Sequence, residues 1–344
     1  MILVTGAAGF IGYHTATKLL ASGRQVIGLD NLNPYYDVAL KQARIKRLEA
    51  NPSFTFIKAD IADRTAIQKI FAEHQFKEVV HLAAQAGVRH SLTHPHDYID
   101  TNVMGFLNIL EGCRHTKGFR HLVFASSSSV YGLNTAFPWS EHHGVDHPMS
   151  LYAATKKSNE LMAHSYSHLY NLPATGLRFF TAYGPWGRPD MALFMFTRAI
   201  LQGEPIDVYN HGNMERDFTY IDDVVEGIAK VIEQPAKPKP AWSSLKPDIA
   251  TSNAPYRLFN IGNNRPERLL SLIEHIENIT GLKAEKRMMP LQPGDISRSC
   301  ADISDLQKEM GFAPKTPLKL GVERFVEWYC EYYGIDLAAV RKRA

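Results

Sequence analysis

Six short runs rich in β-branched and aromatic residues, separated by amphipathic segments, constrain this chain more than any other feature. They are MILVTG at residues 1–6, QVIGLD (25–30), FTFIKAD (54–60), EVVHLAA (78–84), HLVFASSS (121–128) and ATGLRFF (174–180). Strands that alternate with helical segments predict an α/β fold: a doubly wound parallel sheet with helices on both faces. After Gly184 prolines, glycines and aromatics become frequent and the alternation weakens, which predicts a smaller mixed α/β lobe. RLFNIG (257–262) still resembles a piece of the sheet, so the lobes are expected to interleave. The expected division is 1–180 for the first domain, with a returning segment around 207–262, and 181–344 for the second lobe. Pro235, Pro238, Pro240, Pro247 and Pro255 forbid regular helix or central strand and predict a long surface loop.

The 344 residues, 45% hydrophobic and 21% charged, are those of a soluble globular protein with a substantial core. A net charge of +3, with dispersed basic residues, argues against a nucleic-acid partner. No apolar run approaches the roughly 18 to 20 residues that span a bilayer, and no basic leader precedes the first strand, so a cytoplasmic protein without membrane contact is expected. Cys113, Cys300 and Cys330 are odd in number and far apart, as reduced thiols would be.

TGAAGFIG places Gly6, Gly9 and Gly12 directly after the first strand and at the opening of a helix around 11–22. Such a turn lets backbone approach a pyrophosphate, whose charge then meets the free amides of the helix. A dinucleotide site is the reading this context favours. Asp30 ends the second strand, where a carboxylate accepts from the adenosine ribose hydroxyls and repels a 2′-phosphate. No arginine follows directly in LDNLNPYY, which favours NAD. Asp60 and Ile61 are placed to frame the adenine, although Asp60 is equally suited to cap a helix over 62–72.

FASSSSVYG ends the fifth strand with four hydroxyls, and SLYAATKKSNE follows at residues 150–160. Tyr152 and Lys156 share one helix face, a spacing that chance alone produces often. With the strand-end serines and the glycine turn the pair gains a chemical account. A phenol with a pKa near 10 is a poor base unless a cation stabilises its phenolate, and Lys156 is one turn away. Ser127 can bridge the reacting hydroxyl, so the trio suits removal of an alcohol proton during hydride transfer.

These stretches, with HLAAQAGV, LRFFTAYGP and RDFTYIDDV, resemble the extended short-chain dehydrogenase/reductases that act on nucleotide sugars, over nearly the whole chain. The resemblance implies a Rossmann-type sheet, tightly held NAD, Tyr152 as base, Lys156 as its activator and Ser127 as hydroxyl partner. It implies a cofactor cleft lined by Phe10, Ile11, Asn31, Leu82, Ala83, Ala84, Asn102 and Ser126 as well as the residues above. Gln85, Ser128, Ser129 and Tyr209 are expected on the UDP-sugar, with Arg216 and Asp295 at the nucleotide diphosphate. A homodimer is also implied, with the helix near 101–116 and the one beginning at Tyr152 as candidate interface elements.

The dehydratases of this family carry an Asp-Glu pair after the strand-end hydroxyl, to protonate a departing hydroxyl. Ser128 and Ser129 stand there instead, which leaves the 4-epimerases. YGPWGRPDMA (183–192) is similar to the UDP-glucuronate 4-epimerases, as is Thr181 where galactose-type enzymes usually carry asparagine. The planar fork of Arg188 suits a carboxylate, although it could instead pair with Asp190. A uronate oxidised at C4 is a β-keto acid, so Arg188, with Ser128 or Thr181, is expected to hold the carboxylate near the ring plane and suppress decarboxylation. Arg89 could reach the sugar or form a structural ion pair. Rival readings are a neutral UDP-hexose or UDP-N-acetylhexosamine substrate, and a dinucleotide-binding protein without catalysis.

RHSLTHPH (89–96) and EHHGVDH (141–147) are read as solvent-exposed loop histidines and not as a metal site. GVERFVEWYCEYYGI (321–335) reads as an amphipathic helix docked on the second lobe.

Overall fold

The computed structural model describes residues 1–292 and 294–342. Its first half alternates β1 (Ile2–Thr5), α1 (Phe10–Ala21), β2 (Val26–Asp30), α2 (Val38–Glu49), β3 (Phe54–Lys58), α3 (Arg64–Glu73) and β4 (Glu78–His81). Two short helices follow, α4 (His90–Thr93) and α5 (Pro95–Tyr98). A π-helical turn over Ile99–Gly105 then runs into α6 (Phe106–His115), β5 (His121–Ser127), α7 (Leu151–Tyr170) and β6 (Ala174–Phe179). The expected regular helix over 101–116 is therefore widened at its start. Asn102 lies in that turn, and its amide is drawn to the backbone of Gln85.

The remaining elements are β7 (Thr181–Tyr183), α8 (Ala192–Gln202), β8 (Ile206–Val208), β9 (Glu215–Tyr220), α9 (Ile221–Ile232) and β10 (Tyr256–Ile261). They end with β11 (Pro266–Arg268), α10 (Leu269–Thr280), β12 (Lys286–Met288), α11 (Ser304–Met310), α12 (Leu318–Tyr333) and α13 (Leu337–Arg341). Residues 233–255 between α9 and β10 carry no regular helix or strand, as their prolines require.

Seven parallel strands form the main sheet in the order β10-β6-β5-β4-β1-β2-β3. Its central strands are buried along their length, which is why they read as apolar runs without alternation. Strand order reverses between β1 and β4, and a ligand crevice opens at the carboxyl ends there. Two small sheets, β11-β9-β7 and β12-β8, build the second lobe beyond those ends.

One apolar core runs through both lobes. It joins Val4, Phe10 and Tyr13 of the first to Phe218, Ile273, Phe325 and Tyr329 of the second. The docked face of α12, with Val322, Phe325, Val326, Trp328 and Tyr329 buried, supplies much of it. Cys113, Cys300 and Cys330 are free and buried. Among the described residues no helix is long and apolar enough to cross a membrane.

Candidate active site

The glycine turn is built from backbone packed against backbone. Gly6 has φ +72°, and a Cβ there would lie 2.8 Å from the Ala83 amide nitrogen. At Gly12 a Cβ would meet the Gly6 carbonyl oxygen at 2.0 Å. Gly9 opens α1 with no side-chain cap and no acid in the first turn, so the amides of Phe10, Ile11 and Gly12 lack intrahelical acceptors. The Thr5 hydroxyl accepts from the Leu82 and Ala83 amides at 3.2 and 3.1 Å, tying the ends of β1 and β4 together. This cradle fits a dinucleotide pyrophosphate.

Buried Asp30 accepts from the amides of Ala8 (3.1 Å) and Leu32 (2.8 Å). Burial pushes its carboxyl up, against the pull of Lys41, those amides and Arg44. These two cations come from α2 and not from the LDNLNPYY stretch directly after Asp30. Both are committed: Lys41 donates to the Asn33 carbonyl, and Arg44 to the carbonyls of Ala8, Trp186 and Gly187 and to the Tyr36 hydroxyl. Arg44 thereby ties the glycine turn to the loop that carries Arg188.

Three expectations at this end need correction. Asp60 does not cap α3; Asp63 does, accepting from the Ala66 amide, while Asp60 holds Asn31 at 2.9 Å and the Ala62 amide at 2.8 Å. Ile61 turns its side chain into the core beside Gly105 and cannot face an adenine with it. Asn102 spends its side chain on the Gln85 backbone (2.8 and 3.0 Å) and on Thr155 (3.1 Å), so it shapes the cleft indirectly.

At the end of β5 the four serines separate. Ser126 donates to Glu160 at 2.6 Å, and Glu160 also holds buried Arg178, so the Ser126 hydroxyl serves an internal network. Ser127 and Ser129 are 3.2 Å apart, and Ser128 begins a 3₁₀ turn. Ser150 caps α7 by accepting from Ala153, which sets Tyr152 and Lys156 in the first turns of the helix. Lys156 is 2% exposed and donates to the Ala125 carbonyl at 3.0 Å; burial pulls its ammonium down to about 8. Burial pushes the Tyr152 phenol up, opposed by the Ser127 hydroxyl and by the charge of Arg188.

Arg188 lies in the loop after β7 and lines a small, partly open pocket with Phe10, Thr181, Tyr183, Gly184 and Phe218 among others; neither Tyr152 nor Ser127 lines it. Its Nε donates to Asp190 Oδ1 at 3.0 Å and its Nη2 to Asp190 Oδ2. Tyr35, from the loop after β2, donates to the same Oδ2 at 3.1 Å. Spacing offered no sign of Tyr35.

Arg89, Arg216, Tyr209 and Asp295 gather at the second-lobe end. Arg89 donates to Asp295 at 3.0 Å and lies 5.0 Å from the Tyr209 ring centroid. Burial lowers Arg216, opposed by Asp295 and reinforced by Arg89. Arg89, which had two readings, forms the ion pair and joins this group.

His94, His96, His142 and His147 are exposed, as expected, and His90 and His143 are half-buried. His90 stacks on His94 at 4.1 Å, and His142 bridges Asp248 (2.7 Å) and Asp305 (3.0 Å). Among the described residues no group of three or more His, Cys, Asp or Glu is arranged to hold a metal ion.

The sequence profile of the NAD dependent epimerase/dehydratase family matches residues 2–244. Protein CapI of Staphylococcus aureus is 56% identical over 332 residues, covering 96% of this chain and 99% of CapI. A probable UDP-glucuronate 4-epimerase of Rhizobium meliloti is 46% identical over 332 residues, covering 96% of this chain and 97% of the relative. Among solved structures, the UDP-glucuronic acid 4-epimerase of Bacillus cereus, in complex with UDP-glucuronic acid and NAD, superposes with a TM-score of 0.84. It is 34% identical and covers 96% of this chain and 99% of its own. The chain belongs to the NAD-dependent epimerase/dehydratase family.

Proposed function

We propose that the protein is an NAD-dependent 4-epimerase that interconverts UDP-glucuronate and UDP-galacturonate. The observation that carries this reading is the start of α7 fixed to the end of β5 by the Lys156–Ala125 bond, which brings a phenol suited to proton abstraction to the strand-end serines, while the loop after β7 offers the Arg188 guanidinium, suited to a carboxylate. The Rhizobium and Bacillus relatives support it, the first by its name and the second by the sugar nucleotide bound to it.

Bound NAD would supply the hydride acceptor that reversible oxidation at C4 of the sugar requires. The residues that would hold it are the turn around Gly6, Gly9 and Gly12, Asp30, the Leu82–Ala84 backbone and Lys156. In this reading the Oη of Tyr152 takes the proton of the C4 hydroxyl, and Ser127 orients that hydroxyl. Arg188, with Ser128 or Thr181, holds the carboxylate near the ring plane, where the bond to carbon dioxide is poorly aligned with the 4-keto group. Arg89, Arg216, Tyr209 and Asp295 take the nucleotide diphosphate, Arg89 and Arg216 supplying cations. The division of labour is cofactor on residues 1–180 with the returning strand β10, and sugar nucleotide on the segments between and after.

We assign the protein to the cytoplasm and to a homodimer. Exposed Ile99 and Met104 on the π turn and Leu161, Leu169 and Tyr170 on α7 give that face the apolar surface a second copy would cover.

A neutral UDP-hexose is the second reading, favoured by the pairing of Arg188 with Asp190, which offsets its charge. Arg188→Ala separates the two. It is expected to cut kcat/KM for UDP-glucuronate by about tenfold or more, the scale of a lost charge-assisted contact, and to release some UDP-pentose. An unchanged rate on the uronate, with no gain on UDP-glucose, contradicts the assignment.

A further inference from the structure

We propose that Asp190 is an internal stand-in for the substrate carboxylate: it occupies the guanidinium fork of Arg188 in the sugar-free protein and yields that fork to the uronate, remaining on the Tyr35 hydroxyl. The inference rests on the uronate reading and deepens it by naming the residues that tune its selectivity.

Arg188 spends its Nε and Nη2 on the two oxygens of Asp190, the bidentate arrangement that a sugar carboxylate would itself prefer. A uronate that approached an undisturbed pair would meet a cation already neutralised and a like charge beside it. Exchange removes both obstacles, because Asp190 leaves the fork as the sugar arrives. A displaced carboxylate also needs a donor. Tyr35 already supplies one to Oδ2, and it sits on a different loop from Arg188, so the hydrogen bond can survive a shift of the arginine.

The surroundings hold Tyr35 in reach. Its hydroxyl would lie 2.5 Å from a Cβ built at Gly87, whose φ is +104°, so the β4 loop approaches Tyr35 where only glycine fits. Its ring packs 4.9 Å from His90 and 6.3 Å from Tyr36. On Asp190, burial pushes the carboxyl up, but Arg188 and Tyr35 prevail and hold it below the usual range. The side chain is therefore an anion at neutral pH, as exchange with a carboxylate requires.

A neutral sugar has nothing to exchange for Asp190 and leaves the ion pair intact. The pair thus subtracts affinity from uronates alone, and its removal has a direction opposite to that of a bond that merely steadies Arg188. Asp190 and Tyr35 are positioning residues here, acting through the guanidinium.

The test uses the NAD-loaded full-length protein and compares UDP-glucuronate with UDP-glucose by steady-state kinetics and calorimetric binding. Asp190→Asn is expected to lower KM and Kd for UDP-glucuronate about two- to fivefold, the scale of a partly exposed ion pair, with a smaller effect on UDP-glucose. Tyr35→Phe, which strips the displaced carboxylate of its donor, is expected to raise KM for the uronate alone. Raised or unchanged KM in Asp190→Asn overturns the proposal, as does an equal shift for both sugars. If Asp190→Asn fails to fold, a uronate KM in Tyr35→Phe that is not raised overturns it by itself. Wild-type protein that turns over no UDP-glucuronate would sink the functional reading instead, while calorimetry on Asp190→Asn still reads the exchange.

Discussion

The dinucleotide end of the cleft is made of backbone packed so closely that a single Cβ at Gly12 would overlap the Gly6 carbonyl, whereas the sugar end is made of side chains from distant loops. The first surface recognises what every member of such a family shares, a pyrophosphate, and backbone amides serve that purpose without sequence choice. The second must tell one sugar from another, and side chains can be exchanged one at a time to do so. Damage at the first end should therefore appear as lost folding and lost cofactor. Changes at the second should appear as altered chemistry on an intact fold.

Tyr152→Phe gives the largest separation. Loss of the phenolic proton acceptor is expected to cut kcat about 10³-fold, while the thermal midpoint moves little. A fall in the midpoint that accounts for the lost rate would break the contrast. Gly12→Ala comes next and should act in the opposite way, costing about 3 kcal/mol from a backbone overlap that no rotamer relieves. Urea titration and the cofactor absorbance of the purified protein check it; normal stability with NAD retained would contradict the close packing.

The smallest effect concerns Lys156, which stands between the two ends. Its ammonium is held down to about 8 by burial in the folded chain and returns to an ordinary value near 10 on unfolding. Between those values the unfolded chain binds more protons, so stability rises with pH through that window. Lys156→Met should abolish a rise on the order of 2 kcal/mol between pH 8 and pH 10, measured by urea titration at both. A wild-type protein whose stability is flat across that window would show that Lys156 keeps its ordinary titration.

The main sheet was legible because each strand is a buried parallel run, and the glycine turn because its constraint is local to seven residues. Tyr152 and Lys156 were legible through one turn of helix. What escaped depends on contacts between distant positions. Tyr35 and Asp190 lie 155 residues apart, and Arg89 and Asp295 lie 206 apart; no spacing rule links either pair. Ile61 and Asn102 were placed at the right strand ends, but the facing of a side chain there is decided by the neighbour it packs on. Gly105 receives Ile61, and Gln85 engages Asn102. Lys41 and Arg44 escaped because they reach Asp30 from the next helix and not from the adjoining loop.

The central claim is that the cleft oxidises and reduces a uronate at C4 without losing its carboxyl. Incubation of the NAD-loaded protein with UDP-glucuronate, followed by proton NMR of the sugar anomeric signals with absorbance at the reduced-cofactor band, measures this directly. The account predicts an equilibrium mixture of UDP-glucuronate and UDP-galacturonate, with no net reduced cofactor and little UDP-pentose. UDP-pentose as the main product, or no conversion of the uronate alongside turnover of UDP-glucose, would contradict it.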